Sequence, residues 1–206
     1  MKRLICALGL AALLSGCALT EDSIPVTYNA PANLSVVPGA SAVTVQVAPA
    51  DGRVSNRDRV ATKKNGYGME MAKIIASNDV VVEVGKAVQN ELASLGFNIG
   101  PDGISITVET TTFYNDFKPG FWSADAVAEV AFNLTAKKPE GILVYSRSYR
   151  AVGMNKEVML MGGSSAAPAL SEALRNAVQQ MVMDGNLHKA LVQAGTPAKM
   201  AGAPTS

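Results

Sequence analysis

Two apolar stripes fix most of what this chain can fold into. Val81, Val84, Val88, Leu92 and Leu95 recur every three or four positions, and so do Leu170, Leu174, Val178 and Met181, with Ala173 and Ala177 beside them. At 3.6 residues per turn each set lines one side of a helix, and that side must be buried against another surface. Asn78 and Asp79 offer a cap before the first stripe, and Gly96 supplies a left-handed stop after it. Gly162-Gly163-Ser164-Ser165 opens the second helix and Asp184-Gly185-Asn186 breaks it, before a short final helix over Leu187 to Ala194. The partner surface comes from segments that alternate with period two. Val43, Val45 and Val47 alternate with Thr44 and Gln46, and Ile104, Ile106 and Val108 alternate with Ser105, Thr107 and Glu109 in a strand reaching Tyr114. Residues 121–136 carry Ala126, Ala128, Val130 and Phe132, and residues 142–152 carry Ile142, Val144 and Tyr145 before Arg147 and Arg150. Lys137-Lys138-Pro139-Glu140-Gly141 is turn-like and joins the last two as an antiparallel hairpin. This order predicts an α+β domain: an antiparallel sheet of about four strands with two amphipathic helices packed on one face.

The N-terminus has the parts of an export signal. Lys2 and Arg3 precede an uncharged apolar run, Leu4 to Leu14, which is too short for the roughly 20 residues that span a bilayer. Leu14-Ser15-Gly16-Cys17 resembles the lipobox of bacterial lipoproteins. That resemblance implies removal of residues 1–16 and acylation of Cys17, leaving the protein attached to a membrane surface. Ala18 and Leu19 follow the cysteine where Asp would favour inner-membrane retention, so the expected location is the outer membrane with the domain facing the periplasm.

Cleavage would take two of the 18 basic residues and none of the 17 acids, leaving 16 against 17 and a formal net charge of −1. Such a balance gives no general attraction to nucleic acid or anionic lipid. Cys6 leaves with the signal, so the mature chain has one cysteine, lipidated, with no internal disulfide and no thiolate for a metal. Pro25, Pro31 and Pro38 among small polar residues suggest a flexible tether over 17–40, then one domain over 41–194 and a disordered tail over 195–206.

Several short strings sharpen the picture. Asp51-Gly52-Arg53 follows the first strand, Asn65-Gly66-Tyr67-Gly68 lies in a long polar loop, and Leu95-Gly96-Phe97 with Pro101-Asp102-Gly103 ends the first helix. With the lipobox and the order of elements, these resemble the YajG family of Gram-negative lipoproteins over nearly all of residues 40–194. The segment from Met154 to Met161 and the Pro/Gly-rich tail depart from that pattern. The resemblance implies a small periplasm-facing lipoprotein of α+β fold. It implies no reaction.

Chemistry is sparse. His188 is the one histidine; a triad would need a nucleophile and an acid beside it, and nothing in the sequence brings Ser171 and Asp184 into reach. No cofactor or metal is expected. Gly162–Ser165 at a helix start could hold an anion, or simply cap the helix; it lacks the spacing and lysine of a nucleotide loop. Arg53, Arg57, Arg59, Lys63 and Lys64, flanked by Lys73, could contact anionic groups, or form a solvated loop with Asp51 and Arg53 at its base and room for a short strand at Arg59 to Thr62. Phe113, Tyr114, Phe117, Phe121 and Trp122 cluster around Lys118-Pro119-Gly120. They either form an exposed hairpin tip suited to a partner or a sugar ring, or pack as a satellite core. Met154, Met159, Leu160 and Met161 form a second candidate surface.

These readings favour a non-enzymatic accessory lipoprotein that binds another envelope component, with a protein as the expected partner. The alternative is a small-ligand or glycan-binding module using the basic loop and the aromatics.

Overall fold

The computed structural model describes residues 19–30 and 35–195. Cys17 and the segment beyond Gly195 lie outside the described residues.

Eight strands form one mixed sheet, twice the number expected and not purely antiparallel. Its centre is a long three-stranded antiparallel unit: β6 (Ile104–Pro119), β7 (Ala124–Lys137) and β8 (Leu143–Val158). On the other side of β6 the sheet divides. One branch is β2 (Thr44–Asp51), parallel to the first half of β6, with the two-residue β5 (Asn98–Ile99) outside it. The second branch lies near the far end of β6: β3 (Ala61–Lys64), then antiparallel β4 (Glu70–Ala76), then β1 (Asp22–Ile24) parallel to β4. Parallel neighbours need a crossover, and the connection from β2 to β6 includes the first helix, α1 (Val80–Ser94). The helices α2 (Gly163–Val182) and α3 (Gly185–Gly195) complete the domain.

Both stripes are buried as the spacing predicts. Val84, Val88 and Leu92 of α1 and Leu170, Leu174, Val178 and Met181 of α2 meet Ile106, Val108, Val130 and Phe132 of the sheet in one core. Local chemistry sets the helix ends. Asp79 accepts hydrogen bonds from the Val81 and Val82 N–H groups, and Gly96 (φ 96°) turns the chain so that Phe97 N–H reaches the Leu92 carbonyl. α2 lies against β8 at Gly153, where a Cβ would sit 2.2 Å from the Ala169 carbonyl oxygen. Its side chains also cover part of the outer edge of β8. Gln180 donates to the Arg150 carbonyl, Asn176 donates to that of Val152, and Glu172 accepts from the Met154 N–H. An edge strand of this length is otherwise a template for pairing with another chain.

The sheet's other face carries polar pairs over its middle. Asn133 donates to Glu109 and accepts from Ser148, and Arg150 pairs with Glu129 at 2.6 Å.

Of the flexible tether expected over 17–40, the described residues 22–30 and 35–40 are instead part of the domain. β1 is part of the sheet, Ile24, Val26 and Ala40 are buried, and Tyr28 donates to the buried Glu91 at 2.6 Å. Pro25 and Pro38 belong to stretches laid against the domain instead of hanging from it. The long polar loop expected around Asn65–Gly68 is shorter, because β3 and β4 form a hairpin around that turn.

Candidate functional site

The basic loop is built as a set of ion pairs. Arg53, 7% exposed, makes a bidentate contact to Asp51 at 2.9 and 3.0 Å. Those hydrogen bonds outweigh a partial loss of hydration and hold the Asp51 carboxyl down to about 2. Arg57 also lies near Asp51, and Arg59 and Lys73 share Asp58. Lys63 reaches Asp22 at 2.7 Å and Lys64 reaches Asp116 at 2.6 Å. The three arginines border a cleft of about 470 Å³ against the start of α1, but Asp51, Asp58 and Asp79 border it too. Every expected anion-contacting residue here lies against an aspartate, several of them sharing one.

Asp184 is the most heavily engaged acid of the core. One carboxylate oxygen accepts from Tyr145, Tyr149 and Arg147 at 2.7–2.8 Å, and the other accepts from the Asn186 and Leu187 N–H groups at the start of α3. Burial works against its charge, yet the hydrogen bonds prevail and hold it at about 2. The same burial and the Asp184 carboxylate push Tyr149 above the ordinary phenol range. Burial lowers His188, against the nearby Asp184 charge. Asp184 therefore locks β8 to α3. Among the described residues no group of three His, Cys, Asp or Glu side chains could hold a metal.

The glycine-rich start of α2 already holds an anion, and it is the chain's own. Asp22 accepts from the Gly163 N–H at 2.8 Å, and burial raises its carboxyl less than Lys63 and Gly163 lower it. A Cβ at Gly163 would lie 2.7 Å from Ile24, so glycine lets β1 pass this close to the helix.

The aromatic cluster divides in two. Phe113 and Phe117 are core residues, each 1% exposed, and Tyr114 bonds Thr62 through its hydroxyl. Phe121 and Trp122 stand free at the β6–β7 turn, 89% and 84% exposed, with rings edge-to-face at 4.8 Å. Gly120 N–H to the Ser123 carbonyl at 2.7 Å closes the turn that presents them.

Two other loops end beside this turn. The chain between β8 and α2 carries exposed Met159 and Leu160, and the β3–β4 turn carries exposed Tyr67 and Met69. The Lys64 N–H donates to the Met161 carbonyl, and Gly68 lies against Pro119. A depression of about 120 Å³ is shared by Gly66, Phe121, Trp122 and Met159. Met154, grouped with these methionines by sequence, lies within β8 instead. Sequence reasoning missed Tyr67 and Met69, although a large aromatic inside Asn65-Gly66-Tyr67-Gly68 has little chance of being covered by its own turn.

These features can bind by apolar contact, and they assemble no reacting group. The family described as "Uncharacterized lipoprotein" matches residues 30–192. This chain belongs to that lipoprotein family, Lipoprotein_16. The expected YajG-like membership is thereby shown. No curated protein sequence matches the chain. Among solved structures it is similar to protein XCC0632 from Xanthomonas campestris, of family DUF330, with 14% identity over 82% of this chain and 96% of that one and a TM-score of 0.51. That likeness shows the shared fold. It is also similar to a minor lipoprotein from Acinetobacter baumannii, at 6% identity over 75% of this chain and 96% of that one, with a TM-score of 0.44. Among the described residues of this lipoprotein, no helix is long and apolar enough to cross a membrane.

Proposed function

We propose that this lipoprotein is a non-enzymatic accessory component of the bacterial envelope, anchored in the outer membrane through acyl chains on Cys17, that acts by contact at its apolar end. One contrast carries the reading. The acids and bases of the candidate chemical sites are engaged in structural pairs, while Tyr67, Met69, Phe121, Trp122, Met159 and Leu160 stand exposed on three adjacent loops. Clustered apolar surface of this kind marks an interaction site. Ion pairing within the Arg53–Lys64 loop weighs against the glycan or small-ligand alternative.

The experiment is photo-crosslinking in cells from benzoylphenylalanine at positions 67 and 122 of the acylated protein. Adducts to an envelope protein or lipid are expected. Absence of any adduct at both positions, in folded and membrane-associated protein, would overturn the reading. The anchor is tested by labelled palmitate, with Cys17→Ser expected to remove the label and release the protein from the membrane fraction.

A further inference from the structure

We infer that the occupant of the apolar end is the lipid bilayer itself: the three loops dip into the same membrane that holds the Cys17 acyl chains, and so fix the domain's orientation upon it. The inference rests on the proposed anchoring at Cys17 and names the partner of the surface described above.

The first argument is where the chain leaves the domain. β1 runs parallel to β4 with Asp22 opposite Ile74, so residues before Asp22 lie towards Glu70, where β4 begins. Immediately before Glu70 are Met69 and the Tyr67 turn. The exit is held in place on two sides, by Lys63 at 2.7 Å and by the Gly163 N–H at 2.8 Å, next to the loop that carries Met159 and Leu160. Cys17 is only five residues back from Asp22. Five residues reach at most about 17 Å when fully extended. The acylated residue is therefore tied to the end of the molecule that carries the exposed apolar loops, and Leu19, exposed on the way, is itself apolar.

The second argument is the chemistry of the loops. A tryptophan, a tyrosine, a phenylalanine, two methionines and a leucine, each at a loop tip, suit the boundary between headgroups and acyl chains. Tryptophan and tyrosine concentrate there because a large ring can be buried while its polar edge stays wet. Two of the nearby cations are tied to an acid. Lys64 and Lys118 both bind Asp116, whose carboxyl they pull down against its burial. Apolar contact, not attraction to anionic headgroups, holds this end to the surface.

The third argument is the opposite end. The β7–β8 turn at Lys138–Ile142 lies a full strand away, and the 14 residues of β7 span about 45 Å. If the loops at one end meet lipid, that turn projects well into the aqueous space.

Trp122 is the protein's one tryptophan, so intrinsic fluorescence reports the apolar end alone. The acylated protein is reconstituted into phosphatidylcholine–phosphatidylglycerol vesicles, part of the phosphatidylcholine carrying brominated acyl chains that quench on contact. The expected result is a blue-shifted Trp122 emission, most of it lost in brominated vesicles and little changed by high salt. The variant Trp122→Phe with Ile142→Trp, which moves the probe to the far turn, is expected to keep an unshifted and unquenched emission. Replacing Phe121, Met159 and Leu160 by serine, all exposed and safe for folding, is expected to reduce Trp122 quenching while the acyl chains keep the protein on the vesicle. Unquenched Trp122, or equal quenching at positions 122 and 142, would overturn the inference. Unquenched Trp122 together with a protein adduct from position 122 in cells overturns the lipid assignment and leaves the contact reading standing. Neither quenching nor any adduct overturns both.

Discussion

Replacing Asp184 by Asn tests whether the β8–α3 lock depends on charge or on shape. The two side chains have the same size, and the amide oxygen can still cap α3 through the Asn186 and Leu187 N–H groups. What the variant loses is the anion that Tyr145, Tyr149 and Arg147 all address. The carboxyl titrates near 2 where an ordinary aspartate titrates at 3.8. At about 1.4 kcal/mol per pKa unit that difference stabilises the fold by about 2 kcal/mol, with no discount for exposure because the side chain is 2% accessible. Its folded pKa is depressed, so the stabilisation is complete above the unfolded value, near 4, and fades as pH falls towards 2. Asp184→Asn should thus lose about 2 kcal/mol at pH 7, and its deficit relative to the native chain should shrink to about half by pH 3. Urea unfolding of the unacylated mature chain, followed by far-ultraviolet circular dichroism at both pH values, measures this directly. A deficit that stays constant between pH 7 and pH 3 would show that geometry, not ionisation, makes the lock, and would refute the reasoning.

Three further substitutions probe other joints of the fold by the same unfolding assay. Gly153→Val drives a side chain into the α2 backbone at Ala169 and Ala173 and should cost about 3 kcal/mol, whereas Gly66→Ala, with open space around it, should change stability by less than about 0.5 kcal/mol; equal effects would contradict the close approach. Asp51→Ala strands the buried Arg53 guanidinium and should cost about 3 kcal/mol, against less than about 1 kcal/mol for Arg57→Ala at the exposed pair. Tyr28→Phe removes the hydroxyl that satisfies Glu91 and should cost about 1–3 kcal/mol; it should also raise proteolytic cleavage between residues 19 and 30 if this contact holds the N-terminal segment down.

The helices and the long strands were legible because burial imprints its period on the sequence. The stripes at Val81–Leu95 and Leu170–Met181, the Asp79 cap and the Gly96 stop all correspond to local chemistry that a sequence carries whole. Partners were not legible. Alternation reports which face is buried, not which strand lies alongside, so parallel β2–β6 and the three-residue β1 left no signal. β4 was missed because Met71, Ala72, Ile74 and Ile75 do not alternate. The aromatic cluster stayed open between exposed tip and satellite core for a subtler reason. Ile104, Ile106 and Val108 face the core, and carrying that parity forward would bury Tyr114 and expose Phe113 and Phe117. A bulge between Thr110 and Thr112 inserts one residue against β7 and reverses the parity, so Phe113 and Phe117 turn inward. The cations of the basic loop were likewise visible, but their partners Asp22 and Asp116 lie some 40–50 positions away in sequence.

The same long-range pairings decide what the N-terminal segment does. A free tether from Cys17 to residue 40 would let the domain adopt any orientation over the membrane, and no loop would be favoured at the surface. With Asp22 fastened to Lys63 and Gly163, and Tyr28 to Glu91, the anchoring proposed at Cys17 would leave only the few residues before Asp22 to separate acyl chains from domain. A link that short would raise the effective concentration of lipid around the loops nearest its exit, so that under the proposed anchoring even weak apolar contacts there are favoured without any high intrinsic affinity. Loosening the exit with Asp22→Ala, which leaves Phe121 and Trp122 untouched, should therefore weaken Trp122 quenching by brominated lipid while the protein stays membrane-bound. Unchanged quenching in that variant would mean that the loops hold the membrane by themselves, and that the fastening of β1 serves the stability of the sheet alone.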